Sequence, residues 1–202
     1  MKLKSVVLLL SCAMVNLTFS QLAMADKISI KDVKISSGAE IMDKAPNVGD
    51  KAVDFTLPYA TKDTMIFEGL KLSSLFGKGP VILAFYPADW SSGCTKEMCS
   101  MRDNFSDLQK LEAQIIAISG DYVYSHHAWA QHHNLPFTLA SDYNGKIARL
   151  YDSWNEEKNY CKRTAFLIDN DGKIAYRDLE YSVKDDADFL ALKEAIGKLK
   201  NK

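Results

Sequence analysis

Cysteine is the residue type in this sequence best suited to covalent chemistry, and the chain contains Cys12, Cys94, Cys99 and Cys161. Cys94 follows an apolar run stopped by Pro87 and then a polar Ser-Ser-Gly stretch, which predicts a loop leading into a helix at or near Cys94. Unpaired N–H groups and the positive dipole end of a helix favour the thiolate, the nucleophilic form of cysteine. The sequence therefore predicts a reactive Cys94 at a polar, half-open junction, and the alternative is a buried structural cysteine.

Two polar residues flank Cys94 at spacings suited to assisting it. Ser91, three residues earlier, can place a hydroxyl near the sulfur, and Glu97, one helical turn later, can orient a basic neighbour. These groups are all protein side chains, and no cofactor is expected.

Metal binding is a weak alternative. The histidines at 126, 127, 132 and 133 are separated by one, five, six or seven positions. None is separated by four, the spacing that suits a pair of zinc ligands on a helix. We therefore expect these histidines on a surface helix and expect no metal.

Strands and helices must alternate around Cys94. The apolar run 81–86 predicts a strand buried on both faces, and apolar residues three or four apart over 94–112 predict a helix. Further predicted elements are strands at 53–57, 115–118, 137–140, 164–168 and 173–177 and helical segments at 72–76, 125–134, 147–151 and near 189–199. The turn-forming sequence at 169–172 predicts a closing hairpin. This order indicates an α/β fold, with a central mixed sheet covered by helices on both faces.

Length and composition limit the function classes. The chain has 202 residues, a formal charge of −1 and 47% hydrophobic residues, which fits one globular domain and excludes a disordered chain. The charge balance gives no basis for nucleic-acid binding. Four cysteines are too few for a disulfide scaffold.

The amino terminus has the pattern of an export signal over residues 1–25. Lys2 and Lys4 precede an interrupted apolar stretch, and Ala23-Met24-Ala25 offers a cleavage site after Ala25. We expect export, to the periplasm, with no stable membrane span after the signal is removed. A less favoured alternative is a lipoprotein anchored at Cys12, because Leu9-Leu10-Ser11-Cys12 resembles a lipobox. Residues 26–48 are predicted to form a polar arm ahead of a single domain at 49–202.

The segment around Cys94 resembles the peroxiredoxins, most closely their bacterioferritin-comigratory (Q-type) subgroup. The matching residues are Pro87, Ser91 and Cys94 of the Pro-x-x-x-Thr/Ser-x-x-Cys motif, then Gly93-Cys94-Thr95-x-Glu97, Arg102-Asp103-Asn104, Ser125-His126, His133 to Phe137, Ser141-Asp142, and Arg163 with Phe166 to Asp169 and Gly172. Ser91 stands where threonine is commoner, and Val53 where the family often has proline. The resemblance runs from about residue 48 to the carboxyl end.

The resemblance implies a thioredoxin-like fold and a thiol peroxidase that reduces hydrogen peroxide and organic hydroperoxides. Cys94 would be the peroxidatic cysteine, oxidised to a sulfenic acid. Arg163 would stabilise the thiolate and the transition state, Ser91 would bind the peroxide, Pro87 would shield the sulfur, and Glu97 would hold Arg163. The expected reductant is a thioredoxin-like dithiol protein. The expected assembly is a monomer or weak dimer.

Cys99 has the spacing of the resolving cysteine in many Q-type members. Five residues of intact helix advance about 7.5 Å and turn about 500°, so the side chains of Cys94 and Cys99 should point apart. A disulfide needs Cα atoms within about 7 Å of each other. The helix must therefore unwind locally before they can join. Cys161, two residues before Arg163, is a second candidate resolving thiol if both lie on one strand, although a packed cysteine is the favoured interpretation.

Two other functions stay open at this point. One is a thioredoxin-type thiol–disulfide oxidoreductase, although that chemistry normally uses Cys-x-x-Cys and four residues separate Cys94 from Cys99. The other is a non-catalytic redox-sensing module that keeps the fold.

Overall fold

A computed structural model of the chain describes residues 45–182, 184 and 186–200. The predicted export signal, the lipobox alternative at Cys12 and the polar arm as far as residue 44 lie outside the described residues. Ala45 is already buried in the core, and its carbonyl and that of Pro46 accept hydrogen bonds from Arg177. Ala45 and Pro46, which precede the predicted start of the domain at residue 49, therefore pack with the domain.

A mixed seven-stranded sheet forms the centre of the domain, in the order β2-β1-β5-β4-β3-β8-β9. The strands β3, β4 and β5 run parallel, and the other pairings are antiparallel. A separate two-stranded ribbon pairs β6 with β7. The strands are β1 (Thr56–Ala60), β2 (Met65–Lys71), β3 (Val81–Phe85), β4 (Gln114–Ser119), β5 (Thr138–Ser141), β6 (Trp154–Asn155), β7 (Tyr160–Cys161), β8 (Thr164–Ile168) and β9 (Ile174–Asp178).

Helices cover both faces of the sheet, as the sequence predicts. One apolar layer takes side chains from α1, α2, α3 and α5 together with Ile82 and Ala84 of β3. The opposite layer takes side chains from a short 3-10 helix and α4 together with Val81, Leu83 and Phe85. The helices are α1 (Ser92–Asp103), α2 (Phe105–Lys110), α3 (Val123–His133), α4 (Lys146–Leu150) and α5 (Ala187–Lys200), and the 3-10 helix is Leu72–Leu75.

The prediction of one continuous helix over 94–112 is wrong. The chain forms α1 and α2 with a break at Asn104, whose side-chain amide donates a hydrogen bond to the carbonyl of Ser100. Asparagine side chains that bond nearby backbone groups compete with helical hydrogen bonding in this way. The apolar face continues across the break, with Met101 and Leu108 buried, and the periodicity alone therefore does not show where the helix ends.

The other predicted helices and strands are present, and they differ from the prediction mainly in their first and last residues. The strand predicted at 53–57 begins at Thr56, and β2, β6 and β7 were not predicted. The strand β2 has Phe67 and Glu68 exposed, so it carries little of the alternating pattern that marks a half-buried strand.

The topology brings distant parts of the chain to one edge of the sheet. Parallel β3 and β4 end together, with Phe85 opposite Ile118, and Thr164 at the start of antiparallel β8 lies opposite Phe85. The loop after β3, the loop after β4 and the residue just before β8 therefore meet at one place. Open α/β sheets bind ligands beyond the carboxyl ends of their parallel strands.

Candidate active site

Ser91 is the N-cap of α1 and sets the position of Cys94 in the first helical turn. The Ser91 Oγ accepts a hydrogen bond from the backbone N–H of Cys94 at 3.4 Å, and its carbonyl accepts one from Thr95 at 2.9 Å. A serine hydroxyl that accepts one bond still has a proton to donate. Ser91 is exposed, so its hydroxyl can donate to a molecule that approaches from the solvent.

The Cys94 sulfur lies beneath this loop and in contact with a fixed cation. Arg163 Nη2 donates a hydrogen bond to Cys94 Sγ at 3.3 Å, although 69 positions separate the two residues. Glycine at position 93 favours this close approach, because a Cβ there would make a tight contact, 3.3 Å from Arg163 Nη2. A guanidinium beside a sulfur stabilises a thiolate electrostatically.

The expectation of a half-open Cys94 is wrong, because the residue is 0% exposed and packs in the apolar layer with Met98. Burial alone would suit a structural cysteine. The Arg163 contact distinguishes the site, because arginine side chains are seldom placed against an ordinary core thiol. The Arg163 side chain is 17% exposed, which connects the buried sulfur to the surface.

Glu97 forms an ion pair with Arg163 from one turn further along α1. Its Oε2 accepts a hydrogen bond from Arg163 Nη1, while Nη2 of the same guanidinium faces Cys94. Glu97 is 3% exposed, and this burial raises its pKa to about 7 although Arg163 acts in the opposite direction. Two groups on one face of α1 therefore hold the planar fork of Arg163 in a defined orientation.

The raised pKa of Glu97 predicts a pH dependence of stability. Because the folded pKa, about 7, exceeds the ordinary value of 4.5, the folded state binds a proton more tightly than the unfolded state. The contribution of the protonated Glu97 to the free energy of unfolding is fully present below about pH 4.5. It is lost as the pH rises through about 7, and the loss amounts to up to about 3 kcal/mol. In Glu97→Gln this component should be absent.

Chemical denaturation at several pH values measures the effect as the difference between the wild type and the variant. The matched control is Glu156→Gln, which removes an exposed carboxylate paired with Arg149. The assignment is contradicted if the wild type and Glu97→Gln change in parallel between pH 4.5 and 8.

A buried polar cluster behind the loop was not predicted from the sequence. Asp89 accepts hydrogen bonds from Tyr86 Oη and Ser125 Oγ, both at 2.7 Å, and pairs with His126 Nδ1 at 2.9 Å. Its backbone N–H donates to Asp121 at 2.8 Å. Asp89 thereby anchors the loop to α3 and to the loop after β4. The prediction that the histidines lie on a surface helix is wrong for His126, which is 0% exposed. The signal that could have indicated its special position is the Ser125-His126 pair, which matches the family.

Cys99 faces away from Cys94 on α1. Its half-buried sulfur lies 4.0 Å from His133 Nδ1 at the end of α3, whereas the Cys94 sulfur contacts Arg163. The three cysteines among the described residues are free thiols, and α1 is intact from Ser92 to Asp103.

Cys161 lies in the apolar layer on the opposite face of the sheet from Cys94. The strand β7 ends at Cys161, so the two-residue spacing to Arg163 does not place the two side chains together. Burial, followed by the charges of Asp142 and Asp121, raises the pKa of the Cys161 thiol far above its usual range. Both observations favour the packed-cysteine interpretation.

Known proteins are similar to this chain over the part that contains all of the site residues described above. The model of the AhpC/TSA family matches residues 48–177. "Peroxiredoxin Bcp" of Bacillus subtilis is 37% identical over 144 residues, which cover 68% of this chain and 88% of the relative. "Peroxiredoxin Q, chloroplastic" of Triticum aestivum is 39% identical over 111 residues, covering 53% of this chain and 49% of the relative.

A solved structure shows the same fold. The peroxidoxin BcpB of Mycobacterium tuberculosis superposes with a TM-score of 0.66 at 30% identity, covering 76% of this chain and 98% of that one. The sheet with helices on both faces is thus the thioredoxin-like peroxiredoxin fold. Together with the buried thiol and its arginine, these similarities favour the peroxidase over the oxidoreductase and the sensing module. The chain belongs to the AhpC/TSA family and is a peroxiredoxin of the Bcp/Q type.

Proposed function

We propose that Cys94 is the peroxidatic cysteine and that its thiolate attacks the O–O bond of a hydroperoxide. The sulfur takes one oxygen and becomes a sulfenic acid, while the other oxygen leaves as water or an alcohol. The observation that carries this proposal is the 3.3 Å contact between Arg163 Nη2 and Cys94 Sγ. The guanidinium stabilises the anionic sulfur before the reaction and the charge on the departing oxygen during it.

Three further residues assist in this scheme. The Ser91 hydroxyl, while accepting from the Cys94 backbone, donates its own proton to a peroxide oxygen. Glu97 keeps the arginine in place through their ion pair. Pro87 is half-buried at the turn after β3 and limits the access of water to the loop.

The peroxide reaches the sulfur through movement of the loop. Cys94 is 0% exposed, so a molecule larger than water contacts it only when residues above it shift. The exposed part of the loop is Trp90, Ser91 and Ser92, while Asp89 is held by the buried cluster. We therefore expect the opening to involve the few residues between Asp89 and Cys94.

We further propose that Cys99 resolves the sulfenic acid. Its thiol displaces the oxygen on Cys94 as water, and a disulfide joins the two sulfurs. The first turns of α1 unwind for this step, since the intact helix directs the two side chains to different partners. A thioredoxin-like dithiol protein then reduces the disulfide.

Replacing Cys99 with serine tests this resolving role. We expect Cys99→Ser to oxidise Cys94 at the wild-type rate, complete one turnover and then stop, because the sulfenic acid has no partner thiol and passes to the sulfinic acid under excess peroxide. Mass spectrometry after one equivalent of peroxide should show a Cys94–Cys99 disulfide in the wild type and an added oxygen on Cys94 in the variant.

The matched control for this experiment is Cys161→Ser, which should form the same disulfide as the wild type. Full steady-state activity in Cys99→Ser would show that the resolving partner lies elsewhere.

Location and assembly are proposals that rest on the sequence. Lys2, Lys4, the apolar stretch and the Ala23-Met24-Ala25 site support export to the periplasm with cleavage after Ala25. Among the described residues, no helix is long and apolar enough to cross a membrane. The intact mass of the protein recovered from the periplasm tests this proposal: it should begin at Asp26, whereas a lipid-modified Cys12 would contradict it. Sedimentation should show a monomer or weak dimer.

A further inference from the structure

The resolving thiol has a histidine at its side, in a place that the peroxidatic chemistry does not use. Cys99 Sγ lies 4.0 Å from Nδ1 of His133, and the two residues come from different helices, α1 and α3. Arg102, one turn after Cys99 on α1, donates a hydrogen bond to the backbone carbonyl of His133 at 2.7 Å. The end of α3 is therefore attached to the face of α1 that carries Cys99.

Aromatic rings fix the orientation of the His133 imidazole. Trp129 lies edge-on to it, with ring centroids 5.8 Å apart, and Trp90 of the active-site loop lies 6.2 Å away. His132 also contacts it edge-on at 4.6 Å. The ring therefore has packed neighbours on several sides and turns its Nδ1 toward the sulfur.

The surroundings of His133 favour an uncharged ring. The titratable and charged groups that face it are Cys99 and Arg102 from α1 and His132 from its own helix. Burial, followed by the positive charges of His132 and Arg102, lowers the pKa of His133. A neutral imidazole protonated at Nε2 has a free lone pair at Nδ1.

We propose that His133 is the general base that activates Cys99 for its attack on the Cys94 sulfenic acid, an inference that rests on the proposed function. When the first turns of α1 unwind and bring the Cys94 sulfenic acid to Cys99, the Nδ1 lone pair takes the Cys99 thiol proton as the sulfur attacks. The new S–S bond forms as the S–O bond breaks, and the ring becomes an imidazolium. The departing hydroxide takes up a proton and becomes water, and the imidazolium returns its proton to the solvent. One thiol and one sulfenic acid thus give one disulfide and one water.

The expected effect follows from the chemistry of free cysteine. Free cysteine has a pKa of about 8.5, so only a few per cent of a free cysteine thiol is ionised at pH 7. Without a base, resolution at pH 7 should slow by about tenfold, and the deficit should disappear as the pH approaches about 9. The oxidation of Cys94 by peroxide should be unaffected, because His133 faces the other cysteine.

The test is a rapid-mixing experiment on the full chain with one equivalent of hydrogen peroxide, quenched with an alkylating reagent at set times and read by mass spectrometry. His133→Phe keeps a ring for the tryptophan contacts but has no proton acceptor, and His133→Gln keeps polarity without basicity. The matched control is His127→Gln, which removes another histidine of α3, one whose Nδ1 contacts the carbonyl of Thr61 and not Cys99. Each protein is measured from pH 6 to pH 9.

The inference predicts unchanged Cys94 oxidation, slow disulfide formation at pH 7 in both His133 variants, recovery at high pH, and wild-type behaviour in His127→Gln. Equal disulfide rates at every pH in the wild type and both His133 variants would overturn the inference alone. Failure of Cys94 to oxidise in the wild type would overturn the proposed function and this inference with it. A disulfide from Cys94 to Cys161 would overturn the resolving role of Cys99 and the inference.

Discussion

Replacing Cys94 with serine is expected to abolish peroxide reduction. The serine hydroxyl does not ionise at neutral pH and forms no stable equivalent of a sulfenic acid, so neither the attack on the peroxide nor the later disulfide is available. Serine is close in size to cysteine, and its hydroxyl can still accept the Arg163 hydrogen bond that Cys94 Sγ accepts at 3.3 Å. The fold should therefore be retained. Loss of hydrogen peroxide, followed with a thioredoxin-like reductant present, measures the effect.

Two controls make the Cys94→Ser result specific. Cys161→Ser changes a buried cysteine on the opposite face of the sheet and should leave peroxide consumption intact. Circular dichroism and denaturation should show that both variants are folded. Peroxide turnover at the wild-type rate in folded Cys94→Ser would mean that another group carries the reaction.

Replacing Arg163 with alanine is the second change with a large expected effect, a slowing of Cys94 oxidation by about 10²–10³-fold. Removing one preorganised donor to a developing negative charge costs about 3–4 kcal/mol of transition-state stabilisation. In the proposed mechanism Arg163 also stabilises the thiolate that starts the reaction, and the two effects act in the same direction. Stopped-flow measurement of Cys94 oxidation, with peroxide in excess and no reductant, isolates this step from resolution.

Lysine and a distant arginine serve as comparisons for Arg163. Arg163→Lys should recover only part of the rate, because one ammonium cannot bond Cys94 and Glu97 with two fixed parallel donors. Arg149→Ala, which breaks an exposed pair with Glu156, should oxidise at the wild-type rate. Equal rates in Arg163→Ala and the wild type would remove the guanidinium from the mechanism.

The sequence predicts an element well when all of its residues have the same environment, such as burial on both faces of a sheet. The run 81–86 is apolar on both faces, and the structure buries every residue of β3 from Val81 to Phe85. The strand at 164–168 is found with those bounds. The loop-to-helix junction at Cys94 is also confirmed, because Ser91 has the side chain of a helix N-cap.

Features that depend on the tertiary fold were not accessible from local pattern. The full burial of Cys94 arises because α1 packs its first turn onto the sheet, although the surrounding sequence is polar. The burial of His126 depends on Asp89 from a different loop, and a histidine on a helix does not reveal such a partner. Cys161 is placed across the sheet because β7 belongs to a separate ribbon and ends before Arg163.

The proximity of Arg163 to Cys94 depends on the tertiary fold, but it was nevertheless expected before the structure. Residue spacing alone does not bring together two positions 69 apart, and the resemblance to a known family supplied the expectation. The physical reason is the antiparallel pairing of β8 with β3, which sets Thr164 opposite Phe85 and so brings the preceding residue to the end of the strand before Cys94.

The rate at which hydrogen peroxide oxidises Cys94, compared with free cysteine at the same pH, tests the central claim most directly. A sulfur held beside Arg163 and Glu97 should react at least about 10³-fold faster, which corresponds to about 4 kcal/mol of barrier lowering. Peptide mapping of the quenched protein should find the oxygen first on Cys94. A rate equal to that of free cysteine, or first oxidation at Cys99, would contradict the account.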